Sequence, residues 1–304
     1  MKPDLIVIGH LMKEKTIFPD HHIIGPTVGG AAAYFSIVAS CLGSKVGIVS
    51  KIGRDMSKKL LDPLYKTGVD MQGIRIEGMR SMISELYYDI NGNKKMKYPY
   101  KGKPIIFEDI PINYLQANMI YVAPQEWEFS LKEIEKLSSF KGKMAIELSG
   151  YGGAHCTHHL SIDKIRSFFK QLLPYFHIAK LSIEDCRYFF EEKDEIKIAK
   201  TLIEWGVEIG IITLSEKGAI IVTSSDILKL PSFVKGSVLD SVGAGDAFAA
   251  GFMVSYIKDK DVKKAGLFAS ATAAVMIERT GGMNLSRMPV LFKIEERLNS
   301  ELEQ

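Results

Sequence analysis

The chain has 304 residues, of which 46% are hydrophobic and 25% are charged, with a formal net charge of +3. This composition is typical of a folded protein and excludes a disordered chain, and no apolar run is long enough to span a membrane. Because the basic residues are interspersed with acidic ones, we expect neither a nucleic-acid nor a membrane partner. The three cysteines form no C-x-x-C pair, so we expect a reducing, cytoplasmic setting without disulfides.

The beginning of the chain alternates between strand and helix patterns. Residues 5 to 9 form a continuous apolar run closed by a glycine, which is typical of a buried parallel strand. A polar and irregular stretch follows over residues 10 to 26. Small residues then predict a helix over residues 31 to 42, and residues 45 to 51 predict the next strand. This order predicts a βαβ unit.

Residues 75 to 103 interrupt the alternation. Strand-like runs over residues 84 to 90 and 94 to 100 are joined at Asn91-Gly92, which is a strong signal for a β-hairpin. A hairpin does not fit inside a parallel sheet, so we predict a small β lid from two segments, approximately residues 10–27 and 75–103. Since open strand edges pair readily, we also expect a homodimer formed through this lid.

The rest of the chain returns to the alternation, which predicts an α/β fold. Strands are predicted at residues 119 to 123, 144 to 148, 178 to 181, 209 to 214 and 219 to 222. Helices are predicted at residues 131 to 138, 161 to 173, 183 to 190, 196 to 205 and 262 to 280. No internal repeat and no linker divides the chain, so we predict a single domain over residues 1–304.

A glycine turn leads directly into a further helix after Asp240. Gly243 and Gly245 let the backbone turn without Cβ clashes, so the free amides of the first helical turn converge on one point. Together with the helix dipole, such amides form an anion site, for which phosphate is a common guest. Asp246 lies in the same turn. Its carboxylate is either a helix cap or a base that waits for a hydroxyl proton.

Two stretches of the sequence are similar to a known family. Residues 240 to 252 resemble the C-terminal signature of the ribokinase-like (PfkB) carbohydrate kinases, and residues 28 to 55 resemble the N-terminal signature of that family. The resemblance implies a three-layer αβα sandwich with a mainly parallel central sheet and a β lid. It also implies an ATP-dependent kinase that phosphorylates a hydroxyl of a sugar or cyclitol. No P-loop, dinucleotide fingerprint or protein-kinase motif competes with it.

The resemblance assigns roles to residues around the glycine turn. Asp246 takes the place of the catalytic base, and the backbone of Gly243, Ala244 and Gly245 takes the place of the anion hole. ATP and Mg²⁺ are the implied cofactors, and a monovalent cation is a further, open expectation.

On the nucleotide side, the sequence departs from the family's Asn-x-x-Glu element. Ser182 stands at the Asn position and Asp185 at the Glu position, with Glu184 beside it. Either carboxylate would serve Mg²⁺ through water, because Mg²⁺ keeps several of its waters in proteins. The alternative is ordinary capping, in which Ser182 begins a helix whose first turn is acidic.

Two further segments match the family's nucleotide-binding elements. The run Thr213 to Gly218 resembles the T-L-G-x-x-G segment, with Ser215 in place of the first glycine; the alternative is a simple hairpin turn. Ser270 lies where the family's adenine-flanking helix runs, although its small neighbours would equally suit packing.

The acceptor side departs more strongly from the family pattern. Gly29 and Gly30 are retained, but Glu14 and Tyr34 stand where family members carry a short Asp and an Asn. A longer carboxylate and a phenol favour a ring with hydroxyls at its rim, such as myo-inositol, over ribose or fructose. A nucleoside kinase is the first alternative. A non-catalytic sugar or nucleotide sensor is the second, which the retained Asp246 disfavours.

The cluster His155, Cys156, His158 and His159 contains residue types that bind transition metals. Its spacing fits no known zinc pattern and no second ligand pair is present, so we favour a solvated loop or helix cap.

Overall fold

The computed structural model describes residues 2–90 and 94–302. The strands are β1 (Leu5–Ile8), β2 (Met12–Ile17), β3 (Ile23–Gly29), β4 (Val46–Ile52), β5 (Asp70–Ile76), β6 (Met82–Tyr88), β7 (Lys94–Tyr100), β8 (Met119–Val122), β9 (Lys143–Glu147), β10 (Ile178–Ser182), β11 (Ile209–Thr213), β12 (Ala219–Val222) and β13 (Ile227–Leu230). The helices are α1 (Ala31–Cys41), α2 (Lys58–Thr67), α3 (Leu131–Lys136), α4 (Ile162–Leu172), α5 (Ile183–Phe189), α6 (Glu195–Glu204), α7 (Ala244–Asp259), α8 (Val262–Ile277) and α9 (Leu291–Leu302).

The central sheet has nine strands within the described ranges, in the order β13-β12-β11-β10-β9-β8-β1-β4-β5. Every neighbouring pair from β5 to β11 is parallel, and β12 and β13 extend one edge as antiparallel strands. The side chains of β1 show why helices cover both faces. Leu5 and Val7 pack with α1, α7 and α8, whereas Ile6 and Ile8 pack with α4 and α6. The predicted three-layer αβα sandwich is therefore confirmed.

The lid is a separate four-stranded sheet in the order β3-β2-β6-β7. Residues 10–26, predicted to be irregular, instead contain β2 and most of β3; the charges of β2 and the Gly-Pro pair of β3 conceal a strand pattern. The predicted second lid segment, approximately residues 75–103, begins too early. Its first residues belong to β5, which is the edge strand of the main sheet and pairs with β4. The predicted turn at Asn91-Gly92 lies outside the described residues.

The strand order reverses between β8 and β1, because β9 to β11 continue on one side and β4 and β5 on the other. In open α/β sheets, ligands bind beyond the carboxyl ends of the strands at such a reversal. In the sequence, lid strand β2 follows β1, lid strand β6 follows β5, and α7 follows β13. Across the described ranges, no helix is both long and apolar enough to cross a membrane.

Candidate active site

The first turn of α7 contains the residues of the predicted anion hole. Gly243 is the N-cap residue and adopts a left-handed conformation with φ 77°. A Cβ at this position would also lie only 2.5 Å from the ring of Tyr34, so both the backbone and the packing require glycine. The Ala244 amide donates to the Ser241 carbonyl at 3.2 Å and is thus already engaged. Within the described part of the chain, the Gly245 and Asp246 amides have no recorded acceptor and remain available to an anion.

Asp246 has the electrostatic surroundings of a general base. Part of the residue is exposed, but protein surrounds the carboxyl group on most sides. Desolvation therefore raises the pKa of this carboxyl from the ordinary 3.8 to about 7. Lys180 opposes this shift, whereas the charges of Glu147 and Glu14 add to it. A carboxylate with a pKa near neutrality both ionises and accepts protons at physiological pH, as general-base catalysis requires.

Sequence reasoning missed a buried ion pair beneath this turn. Lys180 on β10 and Glu147 on β9 are direct neighbours in the parallel register, and their side chains form a salt bridge with both residues almost fully buried. The Lys180 ammonium lies 3.3 Å from the position that a Cβ of Gly245 would occupy. Burial disfavours its charge, yet the carboxylates of Glu147, Asp246 and Asp185 together offset this and hold the pKa of Lys180 above its ordinary value. The signal in the sequence was a single charge within each of two otherwise apolar runs, residues 144 to 148 and 178 to 181.

Glu147 also carries an oxygen that the protein leaves unpaired. Tyr121 donates to Oε2 at 3.3 Å, whereas buried Oε1 has no partner among the described residues. Asp185 and Asp246 add negative charge nearby, so Lys180 does not neutralise the region. In the described ranges, no three acidic, His or Cys side chains form a ready metal cluster. An unpaired buried carboxylate oxygen nevertheless suits a hydrogen bond from a metal-bound water, which fits Mg²⁺.

Ser182, Glu184 and Asp185 form the start of α5. Ser182 Oγ accepts from the Asp185 amide at 3.1 Å, and Asp185 Oδ2 accepts from the Ser182 amide at 3.2 Å. The capping interpretation is therefore what the structure shows. The other oxygen of Asp185 accepts from the Ala154 amide at 2.9 Å, while Glu184 is exposed. Contact of either carboxylate with Mg²⁺ through water stays a prediction.

The Thr213 to Gly218 segment is the turn between β11 and β12. It closes through a hydrogen bond of 2.8 Å from the Leu214 amide to the Gly218 carbonyl. Ser215 has a φ of 54°, which explains why family members place glycine there. At Gly218, φ is 86° and a Cβ would lie 2.0 Å from the Leu230 carbonyl oxygen, so this glycine is needed by the fold itself. A nucleotide role for the turn remains a prediction.

Ser270 lies in the middle of α8 and is almost fully buried. Its hydroxyl has no hydrogen-bond partner among the described residues. Because buried hydroxyls are usually paired, an unpaired one on the predicted adenine-flanking helix is a feature that a ligand would explain.

The predicted acceptor residues Glu14 and Tyr34 lie near each other and near Asp246. Glu14 on β2 is 5% exposed, and desolvation raises the pKa of its carboxyl to about 7, with Asp240 adding to the shift and Ser84 opposing it. Ser84 Oγ donates to Glu14 Oε2 at 3.5 Å. A Cβ at Gly29 would lie 2.7 Å from the Glu14 carboxyl group, so the glycine makes room for it. Glu14 is thus a buried acceptor of hydrogen bonds with spare capacity.

Gly30 and Tyr34 belong to the start of α1. Gly30 is its N-cap residue with φ 97°, and a Cβ there would lie 2.5 Å from the His10 carbonyl oxygen. Tyr34 is 3% exposed and packs against Gly243, so it supports the anion hole as well as bordering the acceptor side. Burial, followed by the charge of Glu14, raises the pKa of its phenol.

An aromatic pair on the lid was also missed. Phe18 and Tyr88 follow β2 and end β6, and their rings stack with centroids 5.4 Å apart and planes 5° apart. By strand alternation, they share the lid face of Glu14 and Ser84. Burial and the charges of Asp240 and Glu14 raise the pKa of Tyr88. The pair therefore borders the acceptor side.

The His155 to His159 cluster is a folded loop. Cys156 is hydrogen-bonded to the Ser149 carbonyl, and His159 contacts the Gly152 carbonyl and stacks on Tyr188. These contacts place the cluster in a folded loop, as the favoured interpretation expected.

A parallel α/β sheet with a lid, and a helix N-terminus with available amides beside a carboxylate, form an arrangement that suits phosphoryl transfer. A family model described as "pfkB family carbohydrate kinase" matches residues 138–289. The chain belongs to this family, as its two signatures predicted, and is a kinase that phosphorylates an alcohol group of a sugar or nucleoside.

Relatives and solved structures agree with this assignment. A cytidine kinase of Thermococcus kodakarensis is 27% identical over 93% of this chain and 99% of its own. Arabidopsis thaliana ribokinase complexed with ribose and ATP has a TM-score of 0.76 at 17% identity, covering 98% of this chain and 99% of its own. A pyrophosphate-dependent kinase of the ribokinase family, complexed with a pyrophosphate analogue and myo-inositol, has a TM-score of 0.77 at 18% identity, covering 93% and 98%. At these identities the two structures show the shared fold alone.

Proposed function

We propose that this kinase transfers the γ-phosphoryl group of ATP to a hydroxyl of a nucleoside, with Asp246 as the general base. The observation that carries the proposal is the Asp246 carboxylate, with its pKa of about 7, in the same helical turn as two unoccupied amides. This arrangement places a proton acceptor and an anion site side by side, as transfer to a hydroxyl requires.

Each residue has a distinct part in the proposed reaction. Asp246 accepts the proton of the acceptor hydroxyl as that oxygen attacks the γ-phosphorus. The Gly245 and Asp246 amides, strengthened by the dipole of α7, stabilise negative charge on the transferring phosphoryl group. Lys180 lies under the same turn and adds positive charge there. Positioning and electrostatics supply most of the rate in this type of transfer.

ATP and Mg²⁺ are the proposed cofactors. The unpaired Oε1 of Glu147 and the nearby Asp185 would hold the metal through its waters. When bound, Mg²⁺ neutralises charge on the phosphate oxygens. The turn from Thr213 to Gly218 and Ser270 would contact the nucleotide. A monovalent cation has no support from these residues.

The acceptor class is argued from the lid and the relatives. A relative aligned over nearly its whole length is named a cytidine kinase. Glu14 is suited to accept hydrogen bonds from ribose hydroxyls, and the Phe18–Tyr88 pair offers a flat apolar surface on the same face of the lid for a nucleobase. The Glu14 and Tyr34 positions also fit a cyclitol, and a fold neighbour is complexed with myo-inositol, so a cyclitol is the second candidate.

An acceptor panel tests the proposal. Cytidine, other nucleosides, myo-inositol, ribose and fructose are compared by kcat/KM, with ATP and pyrophosphate as donors. We expect a nucleoside with ATP to lead by at least about tenfold, because buried polar groups left unpaired by a wrong acceptor are costly. A lead by myo-inositol would select the second candidate, and a lead by ribose or fructose would contradict the roles of Glu14 and Tyr34. No turnover with any pair would contradict the proposal.

A lid variant separates the two acceptor classes. Tyr88→Ala removes half of the stacked pair, so KM for a nucleoside should rise by about tenfold while KM for myo-inositol changes little. Tyr87→Ala is the matched control, because Tyr87 precedes it on β6, lies on the opposite lid face and donates to Glu85 at 2.8 Å. Equal effects of the two variants would count against base stacking on the lid.

We also propose that the predicted homodimer forms through the lid. Ile23 and Ile24 on edge strand β3 are 54% and 48% exposed, and pairing with a second lid would cover them. Light scattering of wild type and of Ile23→Lys tests this: a dimer that the substitution dissociates supports the interface, and a monomeric wild type contradicts it.

A further inference from the structure

Arg287 is the largest fully buried side chain of the described residues, at 0% exposure. An arginine is almost never completely buried without full pairing, because its charge must leave water. Arg287 lies far from Asp246 in the sequence, and none of the roles above uses it. Its environment therefore calls for a separate explanation.

Backbone carbonyl groups surround the guanidinium. Nε donates to the Arg279 carbonyl at 3.0 Å and the Met276 carbonyl at 3.3 Å, and Nη1 donates to the Gly282 carbonyl at 3.0 Å. Nη2 donates to the carbonyls of Val242, at 2.8 Å, and Asp240. We call these oxygens the carbonyl cage; it comprises the main-chain oxygens of residues 240, 242, 276, 279 and 282.

The cage joins two loops, one of which leads into the anion hole. Residues 239 to 242 immediately precede Gly243, and residues 276 to 282 run from the end of α8 into the loop that follows it. Asp240 adds a carboxylate contact of 3.4 Å to Nη1 and accepts from the Val242 and Gly282 amides. Arg287 therefore fixes the backbone one residue before the N-cap of α7, where a small shift would redirect the Gly245 and Asp246 amides.

We propose that Arg287 is a built-in cation whose guanidinium fills the carbonyl cage and positions the anion hole without a bound monovalent ion. The inference rests on the proposed function for its activity readout only. Several carbonyl oxygens around one positive charge form the type of site in which oxygens replace the hydration shell of an ion such as K⁺. Arg287 supplies that charge covalently, and its N–H groups donate to all five cage oxygens, with the single Nε–H shared between two of them. It is a positioning residue, because it touches the loop and not the reacting atoms.

The first test uses thermal melting of Arg287→Ala in potassium chloride and in tetramethylammonium chloride at equal ionic strength. The substitution empties the cage, so K⁺ should bind there and raise Tm by about 2 °C at tenfold its dissociation constant. Wild type should not respond, because its cage is full. Arg287→Met is the matched control, since it fills the volume without a charge and should also not respond.

The second test measures kcat with the best acceptor. Arg287→Ala should lose about 100-fold in kcat without K⁺, comparable to the loss of an oxyanion-hole donor, and K⁺ should restore at least about tenfold. KM for the acceptor should change little, because the anion hole acts on the transition state. A merely structural role would not make the loss depend on the cation.

The outcomes are separable. Equal potassium responses of wild type and Arg287→Ala, or none in either protein, would overturn the inference even if wild type is an active nucleoside kinase. If no acceptor is phosphorylated, the proposed function fails and the melting data alone decide on the cage. Should Arg287→Ala not fold in either salt, Arg287→Lys decides: its retained charge predicts no potassium response, and a response would contradict the built-in cation.

Discussion

Asp246→Asn should abolish turnover and, at the same time, stabilise the protein. The wild-type carboxyl has its pKa raised from 3.8 to about 7 by desolvation. A raised pKa means that the folded state binds more protons than the unfolded state between these two values, so wild-type stability falls as pH rises through that window. Above pH 7 the raised pKa lowers the free energy of unfolding by about 4 kcal/mol if the carboxyl is fully shielded from water. After allowance for the part open to the cleft, the loss is about 2 kcal/mol.

The asparagine does not titrate and therefore regains this free energy above pH 7. With an unfolding entropy of about 2.1 cal/mol/K per residue, 2 kcal/mol over 304 residues corresponds to a Tm gain of about 3 °C. We expect that gain in Tm at pH 8 and about a third of it at pH 5. At pH 5 only part of the interval between the two pKa values has been crossed, so the wild-type carboxyl has lost only part of the stability. Turnover should fall by at least about 100-fold, the contribution of a general base.

Thermal melts at pH 5 and pH 8 measure the change in Tm. A coupled kinase assay measures the change in turnover. Asp226→Asn, an exposed carboxylate in the turn between β12 and β13, is the control and should change neither quantity. Turnover within tenfold of wild type would refute the role of Asp246 as base. A Tm change of the same size at pH 5 and pH 8 would refute the desolvated, titrating carboxylate.

Further predictions follow from the same contacts. The kcat/KM of wild type for the acceptor should fall about tenfold per pH unit below pH 7 and level off above it, because Asp246 must be ionised; a flat profile from pH 5.5 to 8 would exclude it as the base. Ser84→Ala removes the hydrogen bond to Glu14, so acceptor KM should rise about threefold to tenfold in initial-rate assays with kcat within twofold; an unchanged KM would place the acceptor elsewhere. Ser215→Gly relieves a positive φ and should add about 0.5 to 1 kcal/mol of stability in denaturant melts, with a loss of stability as the contrary result. Gly218→Ala forces a Cβ against the Leu230 carbonyl and should cost at least about 2 kcal/mol by the same melts; a neutral result would contradict this packing.

The alternating fold was predictable because its elements are locally encoded. Short apolar runs predict the strands β1, β8 and β10, and a run of small residues predicts the helix α1. The lid strand β2 was not predictable in this way. Half of its residues are charged, and it is held by pairing with β6, which is distant in sequence. Propensity describes a single segment and contains no information about such a partner.

The site shows the same division. Asp246 and the glycine turn were predictable, because the amides and the carboxylate belong to one helical turn. The Lys180–Glu147 pair depends on the register of two strands, and the carbonyl cage depends on how a loop after α8 meets the loop before α7. Sequence alone shows a lysine in an apolar strand and an arginine near the end of the chain. Only the tertiary structure shows that both are buried close to the anion hole.

The charges around the first turn of α7 limit the form in which a phosphoryl donor enters. Glu147, Asp185 and Asp246 are near one another with Lys180 as their shared cation, so the region favours positive charge overall. The two free amides attract an anion over a short range, but the carboxylates oppose a polyphosphate that carries its full negative charge. A divalent metal on the phosphates would reduce that opposition. We therefore expect the Glu147 charge, which also adds to the raised pKa of Asp246, to favour a metal-bound donor over the free anion.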